Sequence, residues 1–246
     1  MNDISAIVLA AGMGKRMNSS IPKVLHTILD KPIIYWTLNL LKELNIKKTI
    51  VVTGYEAEKV ENEIAKEGFD VTFARQKQAL GTADAVKTGL EKVSSTIKNV
   101  LVIFGDDSAL YMPSTIKEFI NFHLQSNNVM TILTAIKSGP SSVGGLKRDE
   151  NGNIVEILKQ TFGKTEVLCG ALIFNKEWLD TNLPKIQPNP TNGEYPLPKL
   201  IEFASIQKLF AKPFVLSDTR EWVSVNTPEE LEYANQLKKE LTRDRN

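Results

Sequence analysis

The run Asn99–Phe104, NVLVIF, constrains this chain more than any other stretch, because after Asn99 every residue is apolar. A strand of that pattern is covered on both faces, which is the condition inside a parallel sheet. The rest of the first half supplies what would cover it. Ile4–Leu9 reads as a strand and Pro32–Leu44 as a helix, with Ile34, Leu38 and Leu41 along one face. Thr49–Thr53 is a second strand, followed by a helix around Val60 and Ile64. Asp70–Ala74 precedes a helix carrying Val86, Leu90 and Val93, and Ser114–Gln125 is helical with Ile116, Phe119, Ile120 and His123 on one side. This repetition predicts an α/β fold built on a doubly wound, mostly parallel, Rossmann-like sheet. Ligands of such sheets sit beyond the C-terminal ends of strands, so the loops after Leu9, Ala74 and Phe104 carry the functional question.

From Val129 the pattern changes. Val129–Ile136, Asn153–Leu158, Val167–Phe174 and Gln207–Phe214 are strand-like, Asn151-Gly152 signals a hairpin, and Leu231–Leu241 reads as a closing helix before a solvated tail. No Ser/Gly linker divides the halves. The expectation is one domain over 1–246, with a nucleotide-binding half at 1–128, an acceptor-binding half at 129–230 and a C-terminal helix and tail at 231–246.

Lys+Arg of 30 against Asp+Glu of 29 leave almost no net charge, so no general affinity for nucleic acid or an anionic membrane is expected. Cys169 is the single cysteine, which excludes an internal disulfide and fits a reducing compartment. No stretch approaches the ~18 apolar residues of a membrane span. Ile4–Ala11 is too short for a signal-peptide core, and Asp3 stands where a positive start is usual. A cytoplasmic location is expected.

The loop after the first strand reads IVLAAGMGKRM, two glycines followed by Lys15 and Arg16. A P-loop would need Gly at Leu9 and Ser or Thr at Arg16, and a dinucleotide fingerprint would need Gly at Met17. Both readings fail. What remains is a glycine turn that brings backbone N–H groups near an anion, with Lys15 and Arg16 after it and Lys23 a little further on. The chain shows no Ser-His-Asp or Cys-His arrangement; His26 and His123 read as packing or surface residues, and Cys169 as a buried strand residue.

The whole stretch LAAGMGKRMNSSIPKVLH resembles the opening of the sugar-1-phosphate nucleotidyltransferases, and most of all their N-acetylglucosamine-1-phosphate uridylyltransferase branch. The similarity continues through ALGTADA (79–85), FGD (104–106), RDENG (148–152), GEY (193–195) and VNTPEEL (225–231). It implies the nucleotide-diphospho-sugar transferase type of fold. It also implies a reaction in which a sugar-1-phosphate oxygen attacks the α-phosphorus of a nucleoside triphosphate and pyrophosphate leaves. Repulsion between anions is the main obstacle there, and cations with positioned N–H groups can remove it without a protein nucleophile.

On that resemblance Arg16 and Lys23 reach the phosphates, with Asp106 as the third catalytic residue. The backbone from Leu9 through Ala10, Ala11, Gly12 and Gly14, with Lys15 and Gly105, cradles the nucleotide, while Gln76 and Gly81 choose the base and Thr82, also nucleotide-binding, opens the helix after the base pocket. Asp106 and Asn226 together hold one Mg²⁺, which prefers oxygen ligands and keeps several waters. Taken alone, Asn226 also suits a helix N-cap before Thr227-Pro228-Glu229, and Thr82 an N-cap of its own. Asp107 is an extra acid at a place where the family commonly has none.

The acceptor side is less faithful. Gly144, Glu194 and Tyr195 match the family, but Lys159 replaces a sugar-binding Glu, and Leu168 an Asn. Ala79 replaces a second Gln beside the base, so UTP is favoured and CTP stays an alternative, since a Gln amide can turn over. The default acceptor is N-acetylglucosamine-1-phosphate; another phosphorylated sugar or alcohol, or a non-catalytic nucleotide-sugar-binding protein, are the other readings. No hexapeptide repeat follows, so no acetyltransferase activity is expected; a homo-oligomer is compatible with the sequence.

Overall fold

The computed structural model describes residues 3–126, 128–138, 144–158 and 163–244. The first half runs β1 (Ile4–Ala10), a short ribbon of β2 (Thr27–Ile28) and β3 (Lys31–Pro32), α1 (Ile33–Glu43), β4 (Thr49–Thr53), α2 (Ala57–Lys66), β5 (Thr72–Arg75), α3 (Thr82–Leu90), β6 (Asn99–Phe104) and α4 (Pro113–Ser126). The second runs β7 (Met130–Lys137), β8 (Gly145–Arg148), β9 (Ile154–Leu158), β10 (Thr165–Asn175), α5 (Lys176–Asn182), α6 (Lys199–Ile206), β11 (Lys212–Val215) and α7 (Pro228–Arg243).

The main sheet has the order β11-β7-β10-β6-β1-β4-β5, with the β8–β9 hairpin attached to β10. β1 is buried along its whole length. Successive side chains of a strand point to opposite faces. Accordingly Ile4, Ala6, Val8 and Ala10 join one core with α1, α2 and α4, and Ile7 and Leu9 join another with α3, α5 and α6. The sheet is therefore wound on both faces, as the alternation of patterns predicts. α7 closes a smaller core through Ala234, Leu237 and Leu241 against Ile28, Ile33 and Leu110. Among the described residues no helix is long and apolar enough to cross a membrane.

Four details differ from the sequence reading. β10 runs antiparallel to both its neighbours, while the other strands on this path share one direction. β7 reaches β10 through a hairpin excursion and not through a crossover helix, and antiparallel neighbours need no crossover. The stretch expected as a strand from Gln207 joins β7 only from Lys212; Gln207 is the C-cap of α6, and Lys208 and Phe210 turn the chain at positive φ. α6 itself is unanticipated. Pro198 stands at its N-cap, where a proline costs the helix nothing, and Leu200, Ile201 and Ala204 are buried beyond it. α5 is also unanticipated, although Asn175 caps it by accepting the Trp178 N–H at 3.0 Å.

His123 is a packing residue, only 2 % exposed. Its ring bridges Thr131 Oγ1 at 2.8 Å and Asn99 Oδ1 at 3.1 Å, tying α4 to β7 and β6. Burial lowers its pKa to about 4. A depressed base is neutral in the fold and protonated on unfolding, so its stabilisation is whole above pH ~6.5 and fades as pH falls toward 4. The stability difference between wild type and His123→Gln is expected to shrink by about 3 kcal/mol between pH 7 and 4. Urea midpoints across that window check it, and parallel pH profiles would remove the assignment.

Candidate active site

β1, β4, β5 and β6 all end at one edge of the sheet, and the loops that follow β1, β5 and β6 border a cleft of about 560 Å³. Leu9, Ala11, Gly12, Gly14, Lys23, Gln76, Gly81, Thr82, Asp106, Glu194 and Tyr195 line it. The glycine loop is shaped by its neighbours. Ala11 carbonyl accepts the Tyr55 N–H at 3.1 Å, and Gly14 carbonyl accepts that of Met17 at 2.9 Å. Gly14 has φ +69°, and a Cβ there would stand 2.7 Å from Lys23 Cβ, so glycine is what lets the Lys23 stem pass. Gly12 is different. A Cβ on it would meet nothing within 4 Å, so the protein's own packing does not require glycine at this point on the cleft wall.

Lys23 opens a short 3₁₀ turn, Lys23–Leu25, whose Val24 is anchored in the core beside α1. The residue is only 8 % exposed. Its ammonium donates to Asp106 Oδ2 at 2.5 Å and to Asn226 Oδ1 at 2.8 Å, and Arg16 donates to the same Asn226 oxygen at 2.8 Å. Residues separated by most of the chain thus meet around one cation. Asp106 is held by the turn after β6: Gly105 N–H donates to Leu9 carbonyl at 2.9 Å, and Ser108 hydroxyl to Phe104 carbonyl at 2.8 Å. Thr37 stands 2.6 Å from Ser108 and braces the turn from α1.

Asn226 is not the N-cap of α7. Thr227 takes that place in a capping box with Glu230, whose carboxylate accepts the Asn226 N–H at 2.6 Å and the Thr227 N–H at 3.1 Å. The Asn226 side chain is therefore free to turn toward Lys23, its own amide donating to Ser224 Oγ at 2.5 Å. Thr82 is likewise not a cap; Gly81 precedes it at φ +94°, and the Thr82 hydroxyl accepts the Leu197 N–H at 3.0 Å. Gly81 packs against Tyr195, where a Cβ would lie 2.8 Å from its backbone nitrogen.

Gln76 and Gly81 are brought together directly. Gln76 Nε2 donates to Gly81 carbonyl at 3.1 Å and to Asp84 Oδ2 at 2.8 Å. Asp84 is a partner the sequence reading missed, although its spacing of three from Gly81, inside ALGTADA, put it on the first turn of α3.

Other expected residues are placed less centrally. Gly105 is buried and not among the described residues lining the cleft; a Cβ there would meet Ile34 at 2.9 Å, so glycine serves packing. Gly144 abuts β9 and Leu168 packs partly buried on the second core; neither is among the described residues lining the cleft. Lys159 and the Lys15 side chain lie outside the described residues. Asp107 does not join Lys23; its carboxyl lies beside Gly170 of β10, 3.2 Å from where a Cβ on that glycine would be. Burial, reinforced by the Asp106 carboxylate, holds Asp107 well above the usual carboxylate range. Burial also pushes the Cys169 thiol far up, so it is no nucleophile.

The sequence profile of the family described as Nucleotidyl transferase matches residues 5–240. The Bifunctional protein GlmU of Thermoanaerobacter pseudethanolicus is 35% identical over 208 residues, covering 82% of this chain and 44% of that protein. The GlmU of Lactococcus lactis subsp. lactis is 35% identical over 227 residues, covering 90% and 49%. The chain thus spans about half the length of the curated relatives it matches. Two solved structures share the fold. A protein of Bacillus anthracis assigned as a glucose-1-phosphate thymidylyltransferase superposes with a TM-score of 0.81 at 20% identity, covering 96% of this chain and 95% of that one. HddC of Yersinia pseudotuberculosis does so with 0.73 at 21%, covering 94% and 98%.

Proposed function

Because this chain belongs to the nucleotidyl transferase family, we propose that its cleft transfers UMP from UTP to a sugar-1-phosphate, with N-acetylglucosamine-1-phosphate as the default acceptor. In that reaction an acceptor phosphate oxygen forms a bond to the α-phosphorus, and the bond from that phosphorus to the bridging oxygen breaks to release pyrophosphate. The observation that carries the reading is the Lys23 ammonium between Asp106 Oδ2 and Asn226 Oδ1 at the mouth of the glycine loop.

The donor set fits a hard cation. Two oxygens from distant segments already converge on a positive charge, and Mg²⁺ needs only one or two protein oxygens when substrate phosphates and water complete its shell. Asp106 and Asn226 would hold one Mg²⁺, which supplies positive charge beside the α-phosphate. The described residues contain no cluster of three or more His, Cys, Asp or Glu suited to a metal, so this pair is the site that the reading uses. Lys23 and Arg16 lower the repulsion between acceptor phosphate and triphosphate, Lys23 from a buried position where its charge is poorly screened. The unhindered backbone at Gly12 admits close approach of a phosphate.

Pyrophosphate release with Mg²⁺, measured across UTP, CTP, dTTP, GTP and ATP and a panel of sugar-1-phosphates and alcohol phosphates, tests the proposal. UTP with a sugar-1-phosphate is expected to be fastest. Nucleotide binding without release for any acceptor would instead identify a nucleotide-sugar-binding protein.

A further inference from the structure

We propose that Asp84 decides which bases the cleft accepts, by holding the Gln76 amide in one of its two orientations. The inference rests on the reading of the cleft as a nucleotide site. A Gln side chain alone is ambiguous, because turning the amide over exchanges a donor for an acceptor. Here the ambiguity is removed by chemistry. The Gly81 carbonyl and the Asp84 carboxylate can only accept, and both face the same end of the Gln76 side chain, at 3.1 and 2.8 Å. The NH₂ end must therefore face them, and both of its hydrogens are used. Turned over, the amide oxygen would meet two acceptors.

Asp84 makes this contact without itself lining the cleft. Gln76 lines the cleft, whereas Asp84 lines a neighbouring hollow with Leu80 and Lys87, and Tyr195 borders both. The backbone is equally constrained: Gln76 N–H donates to Thr53 carbonyl at 2.8 Å, continuing the β4–β5 ladder. What the side chain has left to offer a ligand is the lone pairs of Oε1. That atom recognises a base whose ring nitrogen carries a hydrogen, as in uracil and thymine (guanine shares the feature). Cytosine and adenine place a bare ring nitrogen there, and lone pair meets lone pair.

The test is equilibrium binding by calorimetry, with Mg²⁺, of UTP, CTP and 3-methyl-UTP to wild type, and of UTP and CTP to Asp84→Asn. Wild type is expected to bind UTP at least a hundredfold more tightly than CTP or 3-methyl-UTP. An amide in place of the carboxylate can donate, so Gln76 is released to turn, and the UTP/CTP ratio is expected to fall at least tenfold. A merely structural role for Asp84 would weaken both nucleotides alike and leave the ratio unmoved, which would overturn the proposal. So would equal binding of 3-methyl-UTP and UTP, a comparison that needs no variant to fold. Selective binding without any pyrophosphate release would remove the transferase reading while this inference stood, and absence of nucleotide binding would end both.

Discussion

Lys23→Ala is expected to lower kcat about 10³-fold at saturating nucleotide and acceptor, the scale on which preorganised charge at a reacting phosphate contributes. The reason is position as much as charge. Lys23 is nearly buried, its stem passes a glycine that leaves no room for a Cβ, and its ammonium lies between two oxygens at 2.5 and 2.8 Å. No other described cation reaches Asp106. Arg16 donates to Asn226 from an exposed site, and charge there is screened by water. Lys23→Arg is expected to rescue little, since a planar fork does not replace one compact nitrogen between two oxygens. Pyrophosphate release at saturation measures the effect; turnover within threefold of wild type for Lys23→Ala would end the catalytic role given to this residue.

Asp106→Asn is the second large effect. The substitution keeps the shape of the turn after β6 and removes only the charge, so the fold should survive. Activity is expected to fall 10²- to 10³-fold, on the order seen when a charge-stabilising group is lost. The remaining activity should need far more Mg²⁺, because the site then offers two neutral amide oxygens and no negative charge. The adjacent Asp107 does not offer a replacement: its carboxyl lies beside Gly170 and is disposed toward its neutral form by burial. A Mg²⁺ titration of activity, paired with direct Mn²⁺ binding, separates loss of the metal site from loss of structure. Unchanged metal dependence would show that Asp106 holds no metal.

Much of this was legible because it is local. Continuous apolar runs mark β1, β4 and β6, and a 3.6-residue period marks α4, almost to the residue, since each pattern follows from which faces the element buries. The glycine turn with its trailing cations could be distinguished from a P-loop by two residues, Leu9 and Arg16. The short elements were harder. α6 hides behind Pro196 and Pro198, and the turn at Lys208 and Phe210 takes positive φ on residues that carry no signal for it.

Sequence alone determined the alternation of strands and helices, the family and the set of residues offered to the chemistry. Only the tertiary structure decided that Asn226 turns away from α7 to meet Lys23, that Asp107 stands apart, and that Asp84 leaves Gln76 a single orientation. The physical reason is range. A pattern within one element records how that element buries its own face, whereas a hydrogen bond between residues 203 positions apart depends on strand order and loop packing, which no local pattern encodes.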